Sequence, residues 1–279
     1  MSRTTPHAPP TVWSVTRWTA IGFTVLVLAY LVIPTVVIIP LSFSSESFLS
    51  FPPKGFSWRW YETFFSTIDY HYAIGNSLKI GIPSAALASL CGTLAALAMA
   101  RANLPWPKVL AMMMIAPIIL PQIVLALGLY PLMVKVGLQG TLLGIVLAHA
   151  VVAMPLVFIS VSASLRGCPE QLEQAAATLG ANGWNTFWHV TFPLIHPGIL
   201  VGFIFAFTFS FDELILSMFL TSSTTRTMPR LLWEQLNFQM TPVITAASVT
   251  LLVCTVVLIG IAGWINQRNA RLVGERKHV

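Results

Sequence analysis

Asp212 and Glu213 stand side by side inside a long apolar run, FIFAFTFSFDELILSMFL, where their chemistry is conspicuous. A carboxylate facing lipid costs several kcal/mol, so such residues turn to a bundle interior, to water or to a partner. Two readings stay open here: one of the pair lines the route of a cationic solute, or both tie helices together through hydrogen bonds and ion pairs. His149 lies in another apolar run with no carboxylate beside it, which favours a hydrogen-bonded core histidine over a proton relay, although the pathway role stays a candidate. Catalytic chemistry has no candidate residues. The chain holds no GxxxxGK[ST] phosphate loop and no nucleophile elbow, and its six histidines are scattered, without a metal-ligand spacing. Cys91, Cys168 and Cys254 lie far apart and fit neither a disulfide framework nor a zinc site.

The elements that must position these groups follow from composition. Of 279 residues 56% are hydrophobic and only 9% charged, with a mean hydropathy of +0.79. That is too much apolar surface for a soluble domain and defines an all-α polytopic membrane protein. The net charge of +6 does not gather into a basic stripe interleaved with aromatics, which excludes nucleic acid as a partner and leaves membrane lipid. Apolar runs predict six spans, near 18–41, 76–100, 109–129, 141–164, 198–220 and 242–265. Pro117 and Pro121 predict a break or kink in the third, since neighbouring helices can satisfy the carbonyls that proline frees. From Gly198, Asp212 and Glu213 fall roughly 21 Å along the fifth. The domain expectation is a loose tail over 1–17, a membrane domain over 18–265 and a basic tail over 266–279.

Basic residues set the orientation. With both termini in the cytoplasm, nine of them (Arg3, Arg17, Arg101, Lys108, Arg166, Arg268, Arg271, Arg276 and Lys277) fall inside and six fall outside, with the bias strongest beside span ends. That places the polar loop 165–197, between the fourth and fifth spans, in the cytoplasm. Its sequence, LEQAAATLGANGWNTFWHVTFPLIHP from Leu172 to Pro197, is patterned as a helix, an elbow and a second short helix. Glu170 and Glu173 suit a helix N-terminus, three alanines extend the helix, and Gly180 suits its stop. Asn182 is placed to cap the second helix, with Pro193 and Pro197 expected to end it. Arg226 and Arg230, in an outer loop, read equally as contacts for a partner or as solvated charges.

The segment QAAATLG followed after nine residues by VTFP resembles the cytoplasmic signature of ABC-importer permeases. Ala175, Ala176, Gly180, Val190, Phe192 and Pro193 fall on that pattern, and Pro197 and Gly198 follow it. The likeness extends to SFSSESFLSFPPKGFSWRWY, to the NSL opening of the second span and to FSFDELILSMFLTSSTTRTMPRLLW, and is similar to the spermidine/putrescine type, second permease subunit. It implies the type I importer permease fold and a chain in the bacterial inner membrane. It also implies a second homologous permease, a dimer of ATP-binding subunits that carries ATP and Mg, and a periplasmic or extracellular solute-binding protein. This chain itself would hold no cofactor. The loop would be the coupling element, through Glu173, Gln174, Ala175, Ala176, Gly180, Val190 and Pro193. The family's glutamate position is Gln174 here, with Glu173 one residue earlier and about 100° away around the helix.

Overall fold

A backbone in hydrocarbon has to satisfy its own N–H and C=O groups, so the apolar runs become helices. The computed structural model describes residues 10–238, 240–257 and 260. In chain order the helices are α1 (Pro10–Ser42), α2 (Arg59–Ser66), α3 (Ile68–Arg101), α4 (Pro107–Ile119), α5 (Gln122–Lys135), α6 (Leu142–Leu165), α7 (Glu170–Thr178), α8 (Gly183–Thr186), a π-helical turn (Phe187–Thr191), α9 (Phe192–Asp212), α10 (Ile215–Leu220) and α11 (Met228–Phe238). A shorter apolar helix, α12, covers Val243–Val257. Arg3, the last part of the sixth span and the basic tail 266–279 lie outside the described residues.

Among the described residues four helices are long and apolar enough to cross a bilayer: Arg17–Ser42, α3, α6 and the stretch Gly183–Asp212. A fifth crossing is added if α4 and α5 form one broken span, bent by 100°. The expected break in the third span falls at the second of its two prolines. Pro121 caps α5, Leu120 before it is extended (φ −67°, ψ 139°), and Pro117 stays inside α4. A residue preceding proline is driven out of the helical region, which is why the chain turns there.

Several boundaries differ from the sequence expectation. Residues 10–17, expected in a loose tail, are helical and continue into the first span, while residues 1–9 lie outside the described residues. The second span begins at Ile68, eight residues before Asn76, with Asp69 in the first turn where the helix dipole favours it. The fifth span is not continuous to Leu220. It stops at Asp212 and resumes as α10 after Glu213 and Leu214.

The described chain groups into two compact units, Met1–Phe64 with Met240–Leu251, and Phe65–Gln239 with Leu252–Val279. In the first, α1 is exposed continuously from Arg17 to Val36. Below it the aromatic-rich segment folds into a knot: Phe43 stacks on Phe56 at 4.9 Å and meets Trp58 edge-on at 4.9 Å, while Trp60 Nε1 donates to the Ser44 carbonyl. Rings with a polar edge suit the membrane–water boundary.

In the second unit the core is a seam where α3, α6 and α9 meet. Ala85, Ala88 and Ala96 of α3 bury against Ala153, Val157 and Val161 of α6 and Ala206 of α9. Val157 is gripped from both sides by glycines: a Cβ on Gly92 would lie 2.9 Å from Val157 Cβ, and one on Gly202 2.9 Å from Val157 Cα. Small residues let helices approach closely where lipid gives no hydrophobic drive to associate.

Candidate coupling loop and membrane-embedded charges

The loop is built much as its sequence directs at its first end. Glu170 and Glu173 occupy the first turn of α7, and the helix stops in a glycine cap. Gly180 adopts φ +87°, its N–H donates to the Ala177 carbonyl at 3.0 Å, and Ala181 N–H donates to Ala176 at 3.0 Å. This left-handed turn satisfies carbonyls that a helix end otherwise leaves open. Asn182 Oδ1 then accepts from Asn185 N–H at 2.8 Å and caps α8.

The second half of the loop departs from expectation. Pro193 and Pro197 do not end a separate helix; α8 continues through the π turn into α9, giving one stretch from Gly183 to Asp212. Phe192 N–H bonds back five residues, to the Phe187 carbonyl. The wider turn relieves the clash a proline ring makes with the carbonyl four residues back, so Pro193 is accommodated in the first turn of α9. Trp184, Phe187, Trp188 and Phe192 form a ladder of rings along this stretch, with centroids 4.9 to 5.6 Å apart between Trp184 and Trp188 and between Trp188 and its two phenylalanine neighbours.

The structure separates the candidate coupling residues. Gln174, Ala175, Gly180 and Pro193 are exposed, Ala176 and Val190 are half-buried, and Leu179 is 89% exposed. Glu173 turns the other way. Arg101 Nε and a terminal guanidinium nitrogen hold its two oxygens at 3.0 and 3.1 Å, and the Thr191 hydroxyl donates to it at 2.9 Å. The same Arg101 nitrogen donates to the Cys168 carbonyl at 2.7 Å. In the sequence Arg101 is legible only as one of the basic residues that set orientation. A basic residue at a helix end was visible, but its partner is 72 residues away. Burial and the Glu173 charge push the Cys168 thiol above its ordinary range, against the opposing pull of Arg101.

Asp212 and Glu213 also part company. Glu213 is 4% exposed and its carboxylate accepts from the N–H groups of Ile215, Leu216 and Ser217, at 3.1, 2.7 and 3.3 Å. It therefore supplies the acceptor for the N–H donors left open where α10 begins. His149 is fully buried; its Nδ1 lies 2.8 Å from Ser210 Oγ, and Nε2 lies 3.9 Å from Glu213 Oε2. The carboxylate absent from its own span arrives across the bundle. Asp212 is exposed and has no hydrogen-bond or ion-pair partner among the described residues.

At the opposite end of α3, Arg226 and Arg230 are neither free nor merely solvated. Arg226 meets Glu234 at 3.0 Å and Asp69 at 3.9 Å, and Arg230 meets Glu234 at 2.8 Å and donates to the Thr221 carbonyl. Asn76 Nδ2 donates to the Thr224 and Arg226 carbonyls, fastening the 221–227 loop to α3. Burial pushes the Glu234 carboxyl up, but hydrogen bonds and charge from the two arginines outweigh it and hold it below the usual carboxylate range.

Closely packed apolar helices, a polar loop carried outside them and acidic residues at a helix break define a multi-spanning α-helical membrane protein. Residues 88–271 match the family of binding-protein-dependent transport system inner membrane components, and the chain belongs to that family. It is 28% identical over 249 residues to the spermidine/putrescine transport system permease protein PotC of Haemophilus influenzae, covering 89% of this chain and 96% of that protein. It is 30% identical over 251 residues to the putrescine transport system permease protein PotI of Escherichia coli K12, covering 88% and 87%. The crystal structure of a bacterial ABC transporter that imports alginate superposes with a TM-score of 0.69 at 15% identity, over 93% of this chain and 99% of the other. The fold is thus that of an ABC-importer permease. The chain is a non-catalytic, multi-pass inner-membrane subunit of a binding-protein-dependent transport system.

Proposed function

We propose that this chain is one half of the translocation pathway of an ATP-driven importer for polyamines or closely related small organic cations. It pairs with a second homologous permease, a dimer of ATP-binding subunits that supplies ATP and Mg, and an extracytoplasmic solute-binding protein. It crosses the membrane six times with both termini in the cytoplasm, α4 and α5 counting as one broken span. The substrate class rests on similarity to the two polyamine-system permeases.

The observation that carries the mechanism is the loop. α7 projects from the helix core without burying any of its own residues, and presents Gln174, Ala175 and the 89% exposed Leu179. Such a rigid, capped projection with an apolar tip suits a groove on the ATPase. Gln174 offers that groove a neutral donor and acceptor in place of a charge. At the break after α9, Asp212 is the residue free to meet a cation, while Glu213 and His149 hold the break in shape.

Reconstitution tests the reading. The chain should co-purify with a second permease and an ATPase, and Leu179→Cys should crosslink to the ATPase. Proteoliposomes should take up spermidine or putrescine only with ATP and the loaded binding protein. Ion-driven uptake by this chain alone would overturn the assignment, and uptake of a neutral sugar in preference to polyamine would overturn the substrate class.

A further inference from the structure

We infer that Arg101 is a positioning residue that ties movement of the cytoplasmic loop to α3 by gripping Glu173 from the end of that span. The inference rests on the reading of 165–197 as the loop that meets the ATPase. None of the nine residues of α7 is buried, so apolar packing contributes little to seating it. A polar cluster does so instead. Arg101, the last residue of α3, holds both oxygens of Glu173 and the Cys168 carbonyl, and its remaining nitrogen lies 3.8 Å from Glu170. Thr191, in the π turn, adds its hydroxyl to the same Glu173 carboxylate. One carboxylate thereby joins α7, the π turn that leads into α9, and the end of α3.

The type of contact matters. A planar guanidinium on a carboxylate makes two parallel bonds, which fix direction as well as distance; a lysine would hold the same charge at a single point. Both side chains are about one-quarter exposed, 24% and 22%, so the pair is partly shielded from water. A load on α7 thus reaches α3 through a link of defined geometry. From there the glycine contacts of Gly92 and Gly202 on Val157 carry it across α6 to α9, because close-packed interiors transmit strain. The loop is connected to two spans at once, through Arg101 to α3 and through the π turn to α9.

The test uses the complete complex in proteoliposomes and reads solute delivered per ATP hydrolysed. Arg101→Gln should assemble and hydrolyse ATP while this ratio falls about tenfold, the size of a typical coupling between sites. The exchange Arg101→Glu with Glu173→Arg should recover part of it. A merely structural role predicts that uptake and hydrolysis fall in proportion, and that result, or a wild-type ratio in Arg101→Gln, overturns the inference. Should the glutamine variant not assemble, Arg101→Lys is read the same way: a lowered ratio supports the two-point grip and an unchanged one refutes it. Loss of the Leu179→Cys crosslink in an otherwise wild-type complex overturns the docking reading instead, so the two failures are told apart.

Discussion

Replacing Gly180 perturbs the loop through backbone conformation alone, which makes its effect calculable. Its φ of +87° belongs to the region that side chains rarely adopt, yet a Cβ built there meets nothing within 4 Å. No clash contributes, so the cost is that of holding an ordinary residue left-handed, about 1–2 kcal/mol. α7 buries none of its residues to offset this, and the penalty falls on the elbow rather than on the spans. A shift of that size changes the ratio of formed to frayed elbow by roughly 5–30-fold. Asparagine tolerates this conformation better than other residues, and a β-branched residue tolerates it worst. Solute delivered per ATP should therefore fall in the order Gly180, Asn, Ala, Val, with Gly180→Val mostly uncoupled. Thermal unfolding of the purified permease should move little across the series. Full coupling in Gly180→Val, or an asparagine variant worse than valine, would refute the reasoning, because either result means that the left-handed cap is not what sets the loop's shape.

Four further outcomes follow from the packing and the charges. Gly202→Ala, whose Cβ would sit 2.9 Å from Val157 Cα, should lower stability in detergent by about 1–3 kcal/mol through overpacking, whereas Gly128→Ala, with nothing within 4 Å, should be neutral or stabilising; equal effects in thermal melts would contradict the seam. Glu213→Ala removes the acceptor of three N–H groups and should cost about 1–2 kcal/mol by analogy with a lost helix cap. Asp212→Asn should leave the melting temperature in place and weaken polyamine uptake, and unchanged uptake would remove Asp212 from the pathway. Because the Glu234 carboxyl is held below the ordinary carboxylate range, its contribution to stability is complete above that range and is lost as pH falls through the depressed folded value. Melts of Glu234→Gln should accordingly be flatter than wild type in this acidic window, and identical pH profiles would argue against the Arg226–Glu234–Arg230 cluster.

Much of the loop was legible because its signals are local. An alanine run followed by glycine, and asparagine one turn before an aromatic helix, are instructions that act over a few residues. The break at Pro121 was legible for the same reason: proline restricts the residue before it wherever it stands. The continuation of α8 into α9 was not, since proline normally ends a helix and only the π turn, with its five-residue bond from Phe192 to Phe187, removes the conflict. Span boundaries drifted outward at Ile68 because hydropathy marks the apolar run, while the helix extends beyond it into polar residues.

The sequence by itself determined that the chain is helical, lives in a membrane and carries a patterned polar loop between apolar runs, because hydropathy, helix period and turn chemistry are properties of neighbouring residues. Only the tertiary structure decided what the charges do. Asp212 and Glu213 are adjacent and chemically alike, yet one is exposed and the other caps α10. His149 acquires its carboxylate from another helix, and Glu173 faces Arg101 across a separation of 72 residues. Charge is written at each position, but its partner is set by which helices pack together, and that depends on the glycine and alanine seam bringing α3, α6 and α9 into contact.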